Sequence, residues 1–305
     1  MAASPPLPDA AFDPQTGRPV EVAPNLVRVT AGNSGPYTHA GTNSYIVGGR
    51  TVLVVDPGPD DAKHMRALLA AIDGRAVAGI LLTHTHRDHS ALAPRLQEAT
   101  GAPVLSGGRH RLSRPQRPLE INPVGAHSDW RLMPDRVLAD GEEVRAGETV
   151  LAAIATPGHC ANHFCFGLSG TQWLLSGDHV MGWNSTLVAV PDGSMADYLD
   201  SLRRLPALPY QRYLPGHGGS IADGPARAVA LLDHRQLRNR QVLEAVASGA
   251  TRIGQLVRRI YPDLAPPLRP AARMTLAAHV EYLEAKGELR VERSLLGRRL
   301  TVPRT

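Results

Sequence analysis

The sequence predicts an α/β protein followed by a smaller, helix-rich region. Two observations support this prediction. Short β-runs alternate with amphipathic helical segments between residues 44 and 214, and the composition becomes helical and basic after residue 224. Such alternation is typical of sheets covered by helices. With 305 residues, of which 43% are hydrophobic, the chain is long enough to form two unequal domains with their own cores.

The first two thirds of the chain predict a hairpin, two helices and several short strands. Residues 44–47 and 51–55 are β-runs joined by two glycines and an arginine, and an amphipathic helix follows them up to Gly74. A further helix is predicted over 91–99, and β-runs are predicted at 77–82, 103–105, 142–154, 163–167, 172–175 and 212–214. Polar clusters follow several of these strands directly, which is where α/β proteins usually hold reactive groups.

The last eighty residues predict a winged helix. Amphipathic helices are predicted over 226–249, 251–261 and 270–287, and β-runs at 288–292 and 299–302 can pair as a small hairpin. Residues 225–305 carry a net charge of +8, whereas residues 1–224 carry −3. A polyanion partner is therefore conceivable for this region. The chain uses 31 Arg and 2 Lys, however, and such a bias favours a solvated basic face over a nucleic-acid surface.

Several classes of protein are disfavoured by what the sequence lacks. Residues 1–24 read as a Pro-rich N-terminal extension without a signal-peptide pattern, and no run approaches the ~18 apolar residues of a membrane span. We therefore expect a cytoplasmic protein that has no membrane partner. Cys160 and Cys165 fit neither a zinc finger nor a disulfide framework, so we interpret both as small buried hydrophobic residues.

The strongest chemical signal is a cluster of metal-binding residue types. His84, His86, Asp88 and His89 fall within six residues at the end of a predicted strand. Three further candidates, His159, Asp178 and His217, each stand beside a glycine that lets the backbone approach an ion closely. Seven nitrogen and oxygen donors without a thiolate suit two zinc ions that keep coordination positions open for water.

These motifs resemble the metallo-beta-lactamase superfamily in their order and approximate spacing. The resemblance implies a four-layer αββα sandwich over residues 25–224 and a C-terminal winged-helix-like domain over 225–305. It implies that His84, His86 and His159 hold one zinc ion, that Asp88, His89 and His217 hold a second, and that Asp178 bridges them. Manganese or iron are possible substitutes. Asp56, in the Asp-Pro-Gly segment, is expected to orient a ligand histidine.

The flanking segments resemble one branch of this superfamily, which includes a mitochondrial endoribonuclease and fungal polyketide thioesterases. The resemblance rests on Gly41-Thr42-Asn43-Ser44-Tyr45, on residues 177–183 and on the winged-helix-like region, and it covers roughly residues 25–300. The Pro/Arg-rich loop 107–118 has no counterpart in that branch.

Other polar residues near these motifs receive weaker assignments. Tyr37 and Asn43 are expected to contact substrate, His163 to support the site without ligating metal, and His179 to point away from the metal or to face substrate. The remaining histidines have no supporting pattern and are interpreted as ordinary: His39, His64, His110, His127, His234 and His279.

The predicted function is hydrolysis by a hydroxide that bridges the two metal ions, with Asp88 and Asp178 as catalytic residues. Two zinc ions, two carboxylates and one hydroxide leave a formal charge of about +1, which favours an anionic substrate. That substrate is either a small acyl ester, thioester, lactone or lactam, or single-stranded RNA, although 4% aromatic residues offer few stacking platforms for bases. An iron-dependent oxygenase is disfavoured by the full ligand set, and a DNA-binding regulator leaves that set unexplained.

Overall fold

The structure is a computed structural model that describes residues 12–294 and 297–303. The first eleven residues of the predicted N-terminal extension lie outside the described residues. Residues 19–23 of that extension form the edge strand of the first sheet. No helix in the two described ranges combines the length and the apolar composition that crossing a membrane requires.

Two mixed sheets form the centre of the fold. The first has seven strands in chain order: β1 (Pro19–Ala23), β2 (Leu26–Thr30), β3 (Asn43–Val47), β4 (Thr51–Val55), β5 (Ala76–Leu81), β6 (Val104–Ser106) and β7 (Arg136–Val137). The second has five strands in the order β12-β11-β10-β9-β8: β8 (Glu143–Ala146), β9 (Thr149–Ala155), β10 (Phe164–Leu168), β11 (Trp173–Gly177) and β12 (Arg212–Pro215). The β3–β4 hairpin and the strand after the first helix agree with the sequence prediction.

Strand periodicity explains how the two sheets pack. Alternate residues of a strand face opposite sides of its sheet, so a strand buried on both sides carries two apolar faces. In β4, Leu53 and Val55 face the second sheet, whereas Val52 and Val54 face the helices. In β10, Phe166 lies between the sheets and Cys165 packs on the outer side.

Helices cover both outer faces and complete four layers. The helices are α1 (Ala62–Ile72), α2 (Arg87–Ser90), α3 (Ala93–Thr100), α4 (Met195–Arg204), α5 (Gly224–Ala247), α6 (Ile253–Ile260) and α7 (Arg269–Ala285). Helices α1 and α3 bury their apolar faces on the first sheet, and α4 packs on the second together with parts of α5 and α7. The predicted αββα arrangement is thus the arrangement observed. Both cysteines are buried and unpaired, as expected.

Helix α5 belongs to two apolar cores. Its Ala228 and Leu231 pack on the second sheet, whereas Val242 and Val246 pack with α6, α7 and the strands β13 (Arg290–Ser294) and β14 (Gly297–Thr301). The predicted wing hairpin is therefore present, although residues 295–296 between its strands lie outside the described residues. The division of the chain at 224/225 stays a prediction, because α5 joins both cores.

Candidate metal centre

The candidate ligands converge because their segments follow strands that end near one another. Chains that leave neighbouring strands at one edge of a sheet place their side chains together there. Strand β5 leads to the histidine cluster, and β9, β11 and β12 lead to the three later candidates. The ligand candidates placed together in this way are His84, His86, Asp88, His89, His159, Asp178 and His217.

The first group of donors consists of His84, His86 and His159. The Nδ1 atom of His86 lies 3.1 Å from Nε2 of His84 and 2.9 Å from Nε2 of His159. Ligands at about 2.0 to 2.1 Å from a tetrahedral zinc ion are about 3.3 Å from one another. The spacing of these three nitrogens therefore fits one metal ion.

The second group consists of Asp88, His89 and His217. Nε2 of His217 lies 3.3 Å from Nε2 of His89 and 3.3 Å from Oδ2 of Asp88, and the latter oxygen is 3.5 Å from His89. The side chain of Asp88 is 29% exposed, whereas both histidine side chains are at most 1% exposed. This group fits a second ion, and Asp88 lies on its open side.

Asp178 lies between the two groups. Its Oδ1 is 3.5 Å from Nε2 of His89 and 3.4 Å from Nε2 of His217, whereas its Oδ2 is 3.7 Å from Nε2 of His159. Oδ1 is buried and accepts no hydrogen bond from any described residue. A buried carboxylate oxygen without a donor is costly, and a cation shared with the neighbouring histidines removes that cost.

The outer nitrogen of every candidate ligand histidine contacts an oxygen atom. The contacts are His84 Nδ1 to Thr83 Oγ1 (3.0 Å), His86 Nε2 to Asp192 Oδ2 (3.0 Å), His89 Nδ1 to Asp56 Oδ2 (2.9 Å), His159 Nδ1 to Leu187 O (2.7 Å) and His217 Nδ1 to Gly41 O (3.2 Å). Carboxylate and carbonyl oxygens only accept, so the proton sits on the outer nitrogen. In the neutral form of each ring, the lone pair of the inner nitrogen therefore points at the centre, as metal coordination requires.

Asp56 holds the histidine loop as well as a ligand. Its Oδ1 accepts from the backbone N–H of Thr83 at 2.7 Å, and its Oδ2 accepts from the Thr83 hydroxyl at 2.7 Å and from His89. Because Thr83 donates to Asp56, its hydroxyl oxygen is free to accept from His84. One buried carboxylate thus orients a histidine of each group, in the position that the resemblance implied.

Sequence reasoning missed Asp192 and interpreted His110 as ordinary. Asp192 is 1% exposed and receives His86 Nε2 on one oxygen, while Nε2 of His110 lies 2.8 Å from the other. The His110 ring contacts Thr85 Oγ1 at 3.0 Å. In sequence, Asp192 stands beside a glycine like the ligand candidates, and that pattern was the only signal available.

Glycines are required where two ligand segments approach each other. A Cβ atom on Gly216 would lie 2.6 Å from Oδ1 of Asp178 and 2.6 Å from Cε1 of His89, closer than side-chain atoms approach. Gly177 has a φ of +50°, which L side chains rarely adopt. The glycine pattern in the sequence therefore has a steric basis.

Burial and charge divide the centre into a neutral half and a charged half. Burial, together with the neighbouring histidines, holds the pKa of His84 well below its usual range and that of His159 at about 4. Burial also opposes the charging of His89 and His217, but the carboxylates of the centre outweigh it and raise the pKa of His217 to about 9. A metal ion in the second group therefore displaces protons from its histidines.

The structure places the four more weakly assigned residues differently from one another. Tyr37 is 51% exposed, so its predicted substrate contact stays a prediction. His163 is fully buried and accepts the backbone N–H of Asp178 at 3.2 Å, which agrees with a supporting position outside the ligand set. His179 is also fully buried, packs on the ring of Tyr198 at 4.8 Å and does not face an open cleft.

Asn43 differs from its predicted position at the rim. Its side chain is fully buried, and its amide donates to the carbonyl oxygens of Pro215 at 3.0 Å and Gly218 at 2.8 Å. Its own oxygen accepts from Thr30 at 2.8 Å. The expected substrate contact stays a prediction, and in this structure Asn43 uses its polar atoms to hold the segment that carries His217.

Comparison with known proteins identifies the family. Residues 37–217 match the metallo-beta-lactamase superfamily, which is more than half of the chain. The chain belongs to this superfamily. Residues 253–298 match the beta-lactamase associated winged helix domain. The resemblance drawn from the sequence, the α/β fold and the winged helix are therefore confirmed.

Individual relatives of this metallo-beta-lactamase superfamily member extend the comparison. An atrochrysone carboxyl ACP thioesterase from Aspergillus fumigatus is 30% identical over 80% of this chain and 75% of its own length. A beta-lactamase-like protein 2 homolog from Drosophila melanogaster is 28% identical over 88% of this chain and 91% of its own length. The crystal structure of a beta-lactamase domain protein from Burkholderia ambifaria superposes with a TM-score of 0.79 at 23% identity, covering 98% and 97% of the two chains.

Proposed function

We propose that this chain is a dinuclear zinc hydrolase that cleaves a small anionic acyl ester, with a thioester as the preferred class. The observation that supports the proposal most strongly is the paired donor geometry. Two groups of three donors have the spacing of tetrahedral coordination, and Asp178 turns one oxygen toward each group. Family membership supports hydrolytic chemistry, and the thioesterase relative supports the substrate class.

The protein residues have distinct tasks in this proposal. When bound, two zinc ions supply a hydroxide nucleophile near neutral pH and polarise the carbonyl that it attacks. Asp178 holds the two donor groups at a fixed separation. Asp88, the most exposed of the donors that face the second group, lies where it can accept a hydrogen bond from the nucleophile and orient it toward substrate.

The acceptors bound to the outer nitrogens hold the histidine rings in their orientations. Because Asp56, Asp192 and three further acceptors fix every histidine ring, little reorganisation is needed during the reaction. The positive charge of the loaded centre favours a substrate with a negative charge near its acyl group.

Metal content and thioester turnover, measured on the protein and two variants, test the proposal. We expect the purified protein to contain close to two zinc equivalents by elemental analysis, and to release thiol from an acyl-thioester panel, followed with a chromogenic thiol reagent. A matched control is His127→Asn, because His127 lies in an exposed turn outside both donor groups. Turnover should persist in that variant and should be lost in Asp178→Asn.

The rival reaction is endonucleolytic cleavage of single-stranded RNA, and a fluorogenic RNA in the same assay separates the two. RNA cleavage that depends on Asp178, without thioester turnover, would replace the acyl substrate by a phosphodiester. One iron equivalent and no zinc would overturn the dinuclear zinc assignment.

A further inference from the structure

A second concentration of titratable side chains lies outside the metal centre, on helices α5 and α7. We name it the cation cluster and define it by five residues: Arg227, His234, Arg235 and Arg238 of α5, and His279 of α7. Because an α-helix has about 3.6 residues per turn, the four α5 members fall within an arc of about 100° on one side of that helix. Arg235 is 2% exposed and His279 is fully buried, so the cluster has a buried floor.

The arginines of the cluster are not neutralised by acidic side chains. The arginine ion pairs in the described part of the chain involve other residues, and none includes Arg227, Arg235 or Arg238. Aromatic rings compensate the positive charge of these arginines only in part. The guanidinium carbon of Arg235 lies 5.3 Å from the ring centre of Tyr198, and that of Arg238 lies 4.2 Å from the ring centre of Tyr261.

Neutral acceptors satisfy some of the guanidinium donors. Arg227 donates to the carbonyl oxygens of Met181 at 2.8 Å and Asn184 at 2.9 Å, and Arg235 donates to the carbonyl oxygen of Thr186. These acceptors lie in the loop that follows Asp178. The cluster therefore adjoins the segment that carries the bridging carboxylate.

Other donors of the cluster are buried and have no partner among the described residues. Three of these donors belong to arginines: Nη1 of Arg227, Nε of Arg235 and Nε of Arg238. Nε2 of His279 is buried without a partner as well, but its Nδ1–H donates to Asn239 Oδ1 at 2.7 Å, so Nε2 of the neutral ring carries a lone pair and can only accept. Each orphaned buried donor costs about 1 to 3 kcal/mol, so an acceptor for the arginine N–H groups would stabilise the cluster.

The charges around the cluster identify the sign of the charge on that partner. Burial, together with the charges of Arg235 and Arg238, lowers the pKa of His279 well below its usual range and that of His234 to about 4. These groups are therefore close enough to repel one another. A cation cannot enter such a site, whereas an anion would pair with the guanidinium groups and accept from the orphaned donors.

From this cluster we infer an anion-binding site for a phosphate group, with Arg235 at its floor and Arg238 at its more accessible side. Several charged guanidinium donors suit a phosphate, which offers several acceptor oxygens, better than a single carboxylate. The site is separate from the metal ligands and does not depend on the proposed hydrolysis. Its phosphate belongs either to the substrate or to a separate effector.

Equilibrium dialysis with radiolabelled inorganic phosphate tests the site on the full-length, metal-loaded protein. We expect saturable binding that weakens at least about tenfold in Arg238→Gln, since one charge-assisted hydrogen bond contributes about 1.5 to 3 kcal/mol. The matched control is Arg240→Gln, which removes an equal charge from an exposed position of the same helix. Its affinity should stay within about twofold of the wild type, because exposed charges interact weakly.

Two further measurements separate this site from the metal centre and from misfolding. After the metals are removed with a chelator, binding by the cluster should persist, because none of its residues is a candidate ligand. His234→Gln, at a half-buried position, should also weaken binding, and thermal melting of each variant reports its folding. The inference would be overturned if the protein bound no phosphate, or if Arg238→Gln and Arg240→Gln bound phosphate with equal affinity. It would also be overturned if phosphate binding were lost completely when the metals are removed.

A comparison of thioesters identifies the source of the phosphate. If it belongs to the substrate, Arg238→Gln raises KM for an acyl-coenzyme A but leaves KM unchanged for the same acyl group on N-acetylcysteamine, which has no phosphate. If it belongs to an effector, both thioesters respond equally while phosphate binding is still weakened. Failure of thioester turnover would count against the proposed function alone, because the dialysis result is independent of it.

Discussion

The histidines of the metal centre and His279 of the cation cluster have the same chemistry and are all buried, but their surroundings are opposite. In the centre, every outer ring nitrogen meets an oxygen acceptor, and the inner nitrogens of His159 and His217 face the carboxylate of Asp178. In the cluster, His234 and His279 face arginines and keep orphaned nitrogens. The partners of a buried histidine therefore indicate the sign of its ligand, which residue type alone does not.

Asp178→Asn should produce the largest effect, because Asp178 alone among residues 12–294 and 297–303 turns its two oxygens toward different donor groups. An amide presents one oxygen and no charge, so we expect metal content to fall below one equivalent. Loss of metal polarisation removes several kcal/mol of transition-state stabilisation, which corresponds to at least about a hundredfold in kcat. Elemental analysis and turnover measure both effects. Full retention of two metals would contradict the bridging assignment.

Asp192→Asn tests whether the oxygen atoms that bind the outer nitrogens of the histidines contribute to metal affinity. Asp192 orients His86, so its loss should weaken metal binding in the first group by about 10- to 100-fold and leave the second group less affected. Competition with a zinc chelator of known affinity measures the change.

Asp129→Asn is the matched control for Asp192→Asn. Asp129 is 8% exposed and its carboxylate accepts from the backbone of Arg131 and Leu132, without touching a ligand histidine. It should lower stability without changing zinc affinity. An equal loss of affinity in both variants would show that Asp192 acts through general stability.

The sequence predicted the fold from local patterns, and it predicted the gathering of the candidate ligands from short motifs and from the superfamily that these motifs resemble. Apolar alternation identified the strands, and the short spacing of His84 to His89 together with the glycine-flanked candidates identified the centre. Helix α5 was expected over 226–249 and runs over Gly224–Ala247. Bound metal, its identity and the substrate remain proposals.

Other features depend on contacts between residues distant in sequence, and local patterns do not carry these. Asp192 and His110 are 82 positions apart, and their contact requires the 107–118 loop to fold against the loop before α4. Asn43 was expected at the rim because it lies in a recognisable motif. The register of β3 turned it inward instead.

His163→Gln should have a smaller effect than either carboxylate variant. His163 Nε2 accepts the backbone N–H of Asp178, and its Nδ1 contacts Thr156 Oγ1 at 2.9 Å. Since it presents no nitrogen to the donor groups, metal content should stay near the wild-type value while turnover falls by less than about tenfold. A metal loss equal to that of His159→Ala would place His163 among the ligands.

The smallest expected effect concerns Arg114, which has the acidic partners that the cluster arginines lack. Its guanidinium group binds Glu120, just after the 107–118 loop, at 2.7 Å and Glu281 of α7 at 2.6 Å. The hydrogen bonds from Arg114 lower the pKa of Glu120 to about 2, despite partial burial. A carboxyl group with a lowered folded-state pKa contributes stability above its ordinary pKa of about 4.5, and this contribution is lost as pH falls toward 2.

Glu120→Gln should therefore lower the free energy of unfolding by about 1 to 2 kcal/mol between pH 5 and 7, measured with urea on metal-free protein. The difference between the two proteins should shrink as pH falls below about 4.5. A difference that is independent of pH would show that the Arg114 pair contributes through packing, and the contrast with the uncompensated cluster arginines would then not be electrostatic.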